Sequence, residues 1–282
     1  MRLRSLLYVP GSSPRFLEKA HERGADAIIV DLEDAVAPSE KESARAALGK
    51  NLPMVGQRGA IVMVRINTHE EAAMLADAAA ACEAGADALY VPKVSSPELL
   101  HRLDRHLTPI ETAKPRSPMR FVPLIEDPIG LQNVASIATG PRVFALSAGG
   151  EDLATSMAAQ PTPEVLRLPK LLIHYAAKAA GIMSFGLLCS TADYADKVAL
   201  TAAIREAKDF GFDGATCIHP SVVALLNDGF SPSGAEIDRA RRLIEAADAA
   251  AADGVGAFVF EGKFVDLPIV TRARALLTRA SH

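Results

Sequence analysis

Eight short apolar runs of strand type, each followed by a helical pattern over tight connections, predict an α/β fold that closes as a TIM (β/α)8 barrel. Strands buried on both faces read as near-continuous apolar runs, as Ala27-Ile28-Ile29-Val30 and Ala88-Leu89-Tyr90-Val91 do. Polar residues gather almost wholly where these runs end, which is the face of a barrel that carries its site. An open doubly wound sheet is the alternative, but no G-x-G-x-x-G opens the first helix.

In order, the first strand covers Ser5 to Val9 and is broken by Pro10-Gly11-Ser12-Ser13-Pro14 before a helix from Arg15 to Arg23, closed by Gly24. The second, Ala27 to Asp31, runs into Leu32-Glu33-Asp34 and a helix that Ser39 could cap. The third, Ala60 to Ile66, ends with Arg65 and Asn67, ahead of an Ala-rich helix from His69 to Ala84 that Gly85 stops. The fourth ends at Pro92-Lys93-Val94; a helix from Ser96 to Leu107 and a polar loop from Thr108 to Pro118 follow. The fifth, Phe121-Val122-Pro123-Leu124-Ile125, delivers Glu126 and Asp127, and Pro128 suits the first position of the next helix. The sixth, Val143 to Ser147, leads through Ala148-Gly149-Gly150 to Glu151 and Asp152. A helix from Glu164 to Ala180 has to kink or start late at Pro169. The seventh strand is Met183 to Cys189, the next helix Tyr194 to Phe210, and the eighth strand Gly214 to Ile218 before His219-Pro220. The barrel so defined spans residues 1–230. A C-terminal helix-hairpin-helix extension spans 231–282: a helix from Ser231 to Ala252, a hairpin turning at Glu261-Gly262 and a last helix to about Ala280. It is expected to be unable to bury its own hydrophobic surface alone, and so to pack on its barrel or on a neighbour's.

The 282 residues are 49% hydrophobic, ample for a substantial core, and the net charge of −4 comes without long runs of one sign. No nucleic acid partner is expected on that balance. The opening residues are too short an apolar stretch for a signal peptide or membrane span, so no membrane association and a cytoplasmic location are expected. Cys82, Cys189 and Cys217 form no C-x-x-C spacing, which argues against a disulfide framework or a structural zinc.

Two neighbouring strands that each end in acid place Glu126 and Asp152 at one edge, within reach of one divalent ion. Carboxylates without clustered His or Cys suit a hard cation, Mg²⁺ or Mn²⁺, which takes further oxygen ligands from water and an oxyacid substrate. Asp127 and Glu151 read equally as helix caps. Arg65 offers a planar fork for a substrate carboxylate, or a salt bridge to Glu33 or Asp34. Lys93 reads as a Schiff-base nucleophile or, beside a metal, as an electrostatic partner of the acids. His219 reads as a strand cap or a catalyst, and Arg15 and Lys19 as contacts for the phosphates of a ligand or a solvated helix face.

The chain resembles the HpcH/HpaI aldolase and citrate lyase superfamily, and within it the citrate lyase β-subunit-like branch. The likeness rests on Arg4-Ser5-Leu6-Leu7-Tyr8-Val9-Pro10-Gly11, Asp31-Leu32-Glu33-Asp34-Ala35-Val36, Val64-Arg65-Ile66-Asn67, Val91-Pro92-Lys93-Val94, Leu124-Ile125-Glu126, Gly150-Glu151-Asp152-Leu153, Ile218-His219-Pro220 and Gly262-Lys263-Phe264-Val265-Asp266-Leu267-Pro268, in that order. It implies a barrel with Mg²⁺ on Glu126 and Asp152, Arg65 on an oxo-acid carboxylate, trimers or hexamers, and Asp266 acting on the reacting carbon from a neighbouring subunit. The implied reaction is Mg²⁺-dependent carbon-carbon cleavage of a 3-hydroxyacyl thioester such as malyl-CoA, citramalyl-CoA or a citryl thioester, giving an acyl-CoA and an oxo-acid. Thioester hydrolysis and a carrier-protein-dependent subunit are the alternatives. The chain departs from the pattern at Asp127, where relatives commonly have Thr, after Gly181, where an aspartate is usual, and at Leu168-Pro169-Lys170, where an Arg-Ser pair is usual.

Overall fold

The computed structural model, which describes residues 2–112, 117–190 and 195–280, turns each of the eight apolar runs into a parallel strand. In chain order the elements are β1 (Ser5–Pro10), α1 (Pro14–Ala20), β2 (Ala27–Asp31), α2 (Lys41–Ala46), α3 (Leu48–Val55), β3 (Ile61–Arg65), α4 (Glu71–Ala84), β4 (Ala88–Val91), α5 (Pro97–Thr112), β5 (Arg120–Ile125), α6 (Pro128–Gln132) and α7 (Val134–Ala138). There follow β6 (Ala145–Ala148), α8 (Gly150–Ser156), α9 (Pro163–Ala179), β7 (Met183–Phe185), α10 (Lys197–Phe210), β8 (Ala215–Cys217) and α11 (Val223–Phe230). Consecutive strands pair from β1 to β7, β8 pairs with β1, and a bridge from Phe185 to Gly214 joins β7 to β8 and closes the TIM barrel. At Gly214 an added Cβ would stand 2.0 Å from the Leu3 carbonyl oxygen, so the chain enters β8 against the backbone before β1 only as glycine.

Leu6, Ile29, Met63, Tyr90, Leu124 and Phe185 fill the barrel interior, while Ile28, Val30, Val64 and Leu89 are equally buried on the opposite strand faces. With both faces covered there is nothing for a polar alternation to serve, which is why the strands read as unbroken apolar runs.

Several boundaries differ from those expected. Ser39 lies inside a 3-10 turn, Pro38–Glu40, and α2 begins only at Lys41, so Ser39 caps no α-helix. Pro169 neither delays nor ends α9, which starts at Pro163 under a Thr162 side chain that accepts from the Val165 N–H. Burial of Leu166, Pro169, Lys170 and Ile173 outweighs the one missing N–H. β7 stops at Phe185, short of Cys189. α5 continues through Pro109 to Thr112, taking the first part of the expected loop; residues 113–116 of that loop, and Tyr194 at the expected start of the next helix, lie outside the described residues. α10 opens at Lys197 with the Asp196 carboxylate accepting from Val198 and Ala199 N–H, both at 3.0 Å.

The barrel residues, Leu3–Asp228, form one compact unit, and the chain from Gly229 onward forms another with Arg2. In this second unit α12 (Gly234–Ala252), β9 (Phe258–Phe260), β10 (Lys263–Val265) and α13 (Leu267–Ala280) follow one another. Ser233 and Glu236 close a reciprocal capping box at the start of α12. Glu261 and Gly262, with φ of 49° and 75°, make the tight turn of the hairpin. The extension has a small core of its own: Ala240, Leu243, Val265 and Val270 are buried together where two amphipathic helices and a hairpin offer apolar faces to one another. Val259, Phe264 and Leu267 remain exposed.

Candidate active site

A cavity of about 400 Å³ opens at the C-terminal ends of the strands, and Tyr8, Arg65, Glu126, Ser147, Asp152 and Lys170 are among the residues lining it. Glu126 follows β5 directly and is only 5% exposed. Its Oε2 accepts the Lys93 backbone N–H at 2.7 Å. Its Oε1 lies against Gly149, where a Cβ would stand 2.2 Å away, so glycine at the β6-to-α8 junction lets the carboxylate reach the cavity. Asp152 stands exposed in the first turn of α8. Burial pushes the Glu126 carboxyl up to about 8; the Lys93 N–H opposes this and the nearby Asp152 charge adds to it.

Two carboxylates converge there, and no group of three or more His, Cys, Asp and Glu poised for a metal exists among the described residues. A buried carboxyl with a second acid beside it is an arrangement that a cation relieves. The oxygen-only donor set fits a hard divalent ion that retains waters or takes substrate oxygens. Glu126 and Asp152, lining one cavity, therefore fit the expected Mg²⁺ in donor type.

Arg65 ends β3. Its fork is already engaged: Nε and Nη2 donate to the two oxygens of Asp31 at 2.7 and 2.6 Å, and Nη1 meets Glu33 at 3.1 Å and Asp34 at 3.3 Å. Both Glu33 and Asp34 were foreseeable partners, but the dominant one, Asp31, was not singled out because it reads as the last residue of a strand. Burial works against the guanidinium, yet Asp31 and its neighbours hold its pKa above the ordinary value. The Tyr8 ring lies 5.0 Å from the guanidinium carbon and meets Tyr90 edge to face. Arg65 thus reaches the cavity as a fixed cation with at most its spare Nη protons to offer a ligand.

Lys93 donates through Nζ to Glu33 at 2.6 Å and lies 3.2 Å from His69 Nε2. Burial alone would depress its ammonium, but Glu33, Asp34 and Glu126 raise it, so Lys93 stays charged, the opposite of an amine poised for a Schiff base. Asp127 is the N-cap of α6, accepting from Gly130 N at 2.6 Å. Glu151 accepts from Ser190 Oγ. Asn67 ties the Leu32 carbonyl to Asp77. His219 Nδ1 meets the Ser221 hydroxyl at 2.7 Å and caps the short turn Pro220–Val222. Arg15 and Lys19 are exposed on α1. Asp266 belongs to the second unit, half-buried between β10 and α13, where its carbonyl accepts from Ile269 and Val270 N–H.

Lys170 was not foreseen as a site residue. It is 4% exposed in mid-α9, donates to the Cys189 carbonyl at 2.6 Å, and burial lowers its ammonium to about 8 against the pull of Cys189 and Glu151. No strand-end rule finds a residue on a helix interior. Gly149 directly follows β6 and was within that rule's reach, whereas Tyr8 lies inside β1.

A parallel eight-stranded barrel whose acids, arginine and lysines meet at the C-terminal mouth has the anatomy of a TIM-barrel enzyme. The model of the HpcH/HpaI aldolase/citrate lyase family matches residues 4–220, and the chain belongs to that family. It is 33% identical to the citrate lyase subunit beta of Escherichia coli (strain K12), over 98% of this chain and 93% of that protein. It is 37% identical to a (3S)-malyl-CoA thioesterase of Cereibacter sphaeroides (strain ATCC 17029 / ATH 2.4.9), over 98% and 94%. Among solved structures, protein CitE from Mycobacterium tuberculosis in complex with magnesium, acetoacetate and coenzyme A superposes with a TM-score of 0.82 at 28% identity, covering 100% of this chain and 99% of that one.

Proposed function

We propose that the chain is a Mg²⁺-dependent carbon-carbon lyase that cleaves a 3-hydroxyacyl thioester of the malyl-CoA, citramalyl-CoA or citryl type into an acyl thioester and an oxo-acid. The observation that carries this reading is the convergence of Glu126, Asp152 and Arg65 on one cavity at the barrel mouth. Relatives named for citrate lyase and malyl-CoA, and a similar structure holding magnesium and coenzyme A, support the substrate class.

Glu126 and Asp152 would hold the ion, Mg²⁺ or Mn²⁺, which when bound supplies charge stabilisation to the oxo-acid oxygens. Arg65, fixed by Asp31, adds positive potential to the same half of the substrate and stabilises negative charge there. Cleavage releases the proton of the 3-hydroxyl to solvent water, turns that carbon into the carbonyl of the oxo-acid, and moves the electrons of the broken carbon-carbon bond onto the thioester half. That half then takes up a proton at carbon. Asp266, contributed by a neighbouring subunit of a homotrimer or hexamer, is the proposed proton carrier, acting as acid in cleavage and as base in condensation.

A second reading is hydrolysis of the thioester, favoured by the relative named as a thioesterase. A third is a subunit that works only on an acyl carrier protein, favoured by the relatives named as citrate lyase subunits. A panel of hydroxyacyl-CoA esters with Mg²⁺, followed separately for oxo-acid and for free thiol, separates the three. Oxo-acid without thiol is the expected result, abolished by chelator and by Glu126→Ala or Asp152→Ala. Free thiol establishes hydrolysis, and silence on every CoA ester moves the substrate to a carrier protein. Turnover that survives chelation removes the metal from the mechanism.

A further inference from the structure

We propose that Lys93 is a positioning residue with two separable duties: its left-handed backbone aims the main-chain N–H at Glu126, and its ammonium, through Glu33, fixes Arg65. This rests on the reading of Glu126 as a metal ligand. Lys93 has φ of 55°, one of few non-glycine residues in the chain's described parts with a positive φ, and it stands just past the end of β4. A long side chain adopts that conformation only under constraint, and such residues cluster where geometry serves function. The constraint is visible at both ends of the residue. The N–H lies 2.7 Å from Glu126 Oε2, and Nζ lies 2.6 Å from Glu33 Oε1. Glu33 is 1% exposed, and its other oxygen lies 3.1 Å from Arg65 Nη1. A continuous polar chain therefore runs Glu126, Lys93, Glu33, Arg65, Asp31 and links the carboxylate on the metal side of the cavity to the guanidinium on the substrate side.

The two duties make different demands on the residue at position 93. The backbone duty needs positive φ and an N–H, which glycine and asparagine supply and a β-branched residue resists. The side-chain duty needs a cation on Glu33, which none of these supplies. Removing the ammonium leaves Glu33 to draw Arg65 more strongly and shifts the cation away from the cavity.

Three variants, Lys93→Gly, Lys93→Asn and Lys93→Val, are purified in the full-length protein and checked for folding by circular dichroism. Mg²⁺ dissociation constants are measured calorimetrically on metal-free protein, and KM and kcat are measured with the best hydroxyacyl-CoA ester. The glycine and asparagine variants are expected to bind Mg²⁺ within about threefold of the parent while KM rises, and the valine variant to lose about tenfold or more in Mg²⁺ affinity as well, the range for losing a group that orients a metal ligand. Equal Mg²⁺ affinity in all three variants, or an equal loss in all three, overturns the division of duties. Should valine prevent folding, the glycine and asparagine pair decides alone, because a Mg²⁺ loss of about tenfold in both refutes the backbone role. A parent protein that binds no Mg²⁺ refutes instead the metal reading on which the proposal rests.

Discussion

Lys170 shows how one buried charge ties stability to pH. Its ammonium donates to the Cys189 carbonyl and is pushed down to about 8 by burial, from an ordinary 10.5. A base whose folded pKa is depressed costs stability while it is charged in both states. The cost is relieved as pH rises from about 8 toward the unfolded value, and stability is lost again as pH falls through about 8. The size is a few kcal/mol at most, at ~1.4 kcal/mol for each pKa unit. Lys170→Met keeps the chain length and removes the titration. Wild type should therefore gain on this variant in urea midpoint between pH 7 and pH 10, and a constant difference between the two proteins would show that Lys170 is not depressed.

At the scale of elements, the junction of β6 and α8 sets the site. Gly149 has φ of −86° and ψ of 92°, a conformation open to any residue, so its requirement is purely one of space. In Gly149→Ala the new Cβ would meet Oε1 of Glu126 at 2.2 Å and its Cγ at 2.5 Å, so the carboxylate has to move while the backbone need not. The variant should fold with near-normal circular dichroism and lose about tenfold or more in Mg²⁺ affinity. Gly150→Ala, whose nearest new contacts are 3.1 Å away, should lose much less. Equal affinities in the two variants would rule out the cradle.

The strand runs, their order and the acids at their ends were legible because burial on both faces leaves a near-continuous apolar signal and because barrels collect polar groups at one rim. Asp31 was hidden: as the final residue of an otherwise apolar run it carries no mark of being the partner of Arg65 from the next strand. Lys170 was hidden because α9 approaches the cavity through tertiary packing, which no local pattern encodes. That α9 runs from Pro163 on through Pro169 rests on the same packing, since the face it buries outweighs the local penalty.

For the whole molecule, the extension raises the question of assembly. It has a small core of its own yet leaves Val259, Phe264 and Leu267 exposed around the hairpin and the start of α13, on either side of Asp266. If Asp266 serves a neighbouring subunit, mixing inactive Asp266→Ala with inactive Glu126→Ala under subunit exchange should restore activity, because some interfaces then pair an intact acid with an intact metal site. Verified exchange with no return of activity confines Asp266 to its own chain or removes it from the chemistry.

The ring of strands is also uneven. β1 and β2 pair along all of Ala27–Asp31, whereas β7 and β8 meet through one bridge supported by Gly186 N–H to the Gly214 carbonyl and Asp213 N–H to the Ser184 carbonyl. A hoop yields where its weld is thinnest. Breathing of the barrel should begin at that join, so amide deuterium should enter at Ser184–Gly186 and Asp213–Gly214 well before it enters β2, and the cavity wall carried beyond β7 should loosen long before the wall that holds Arg65.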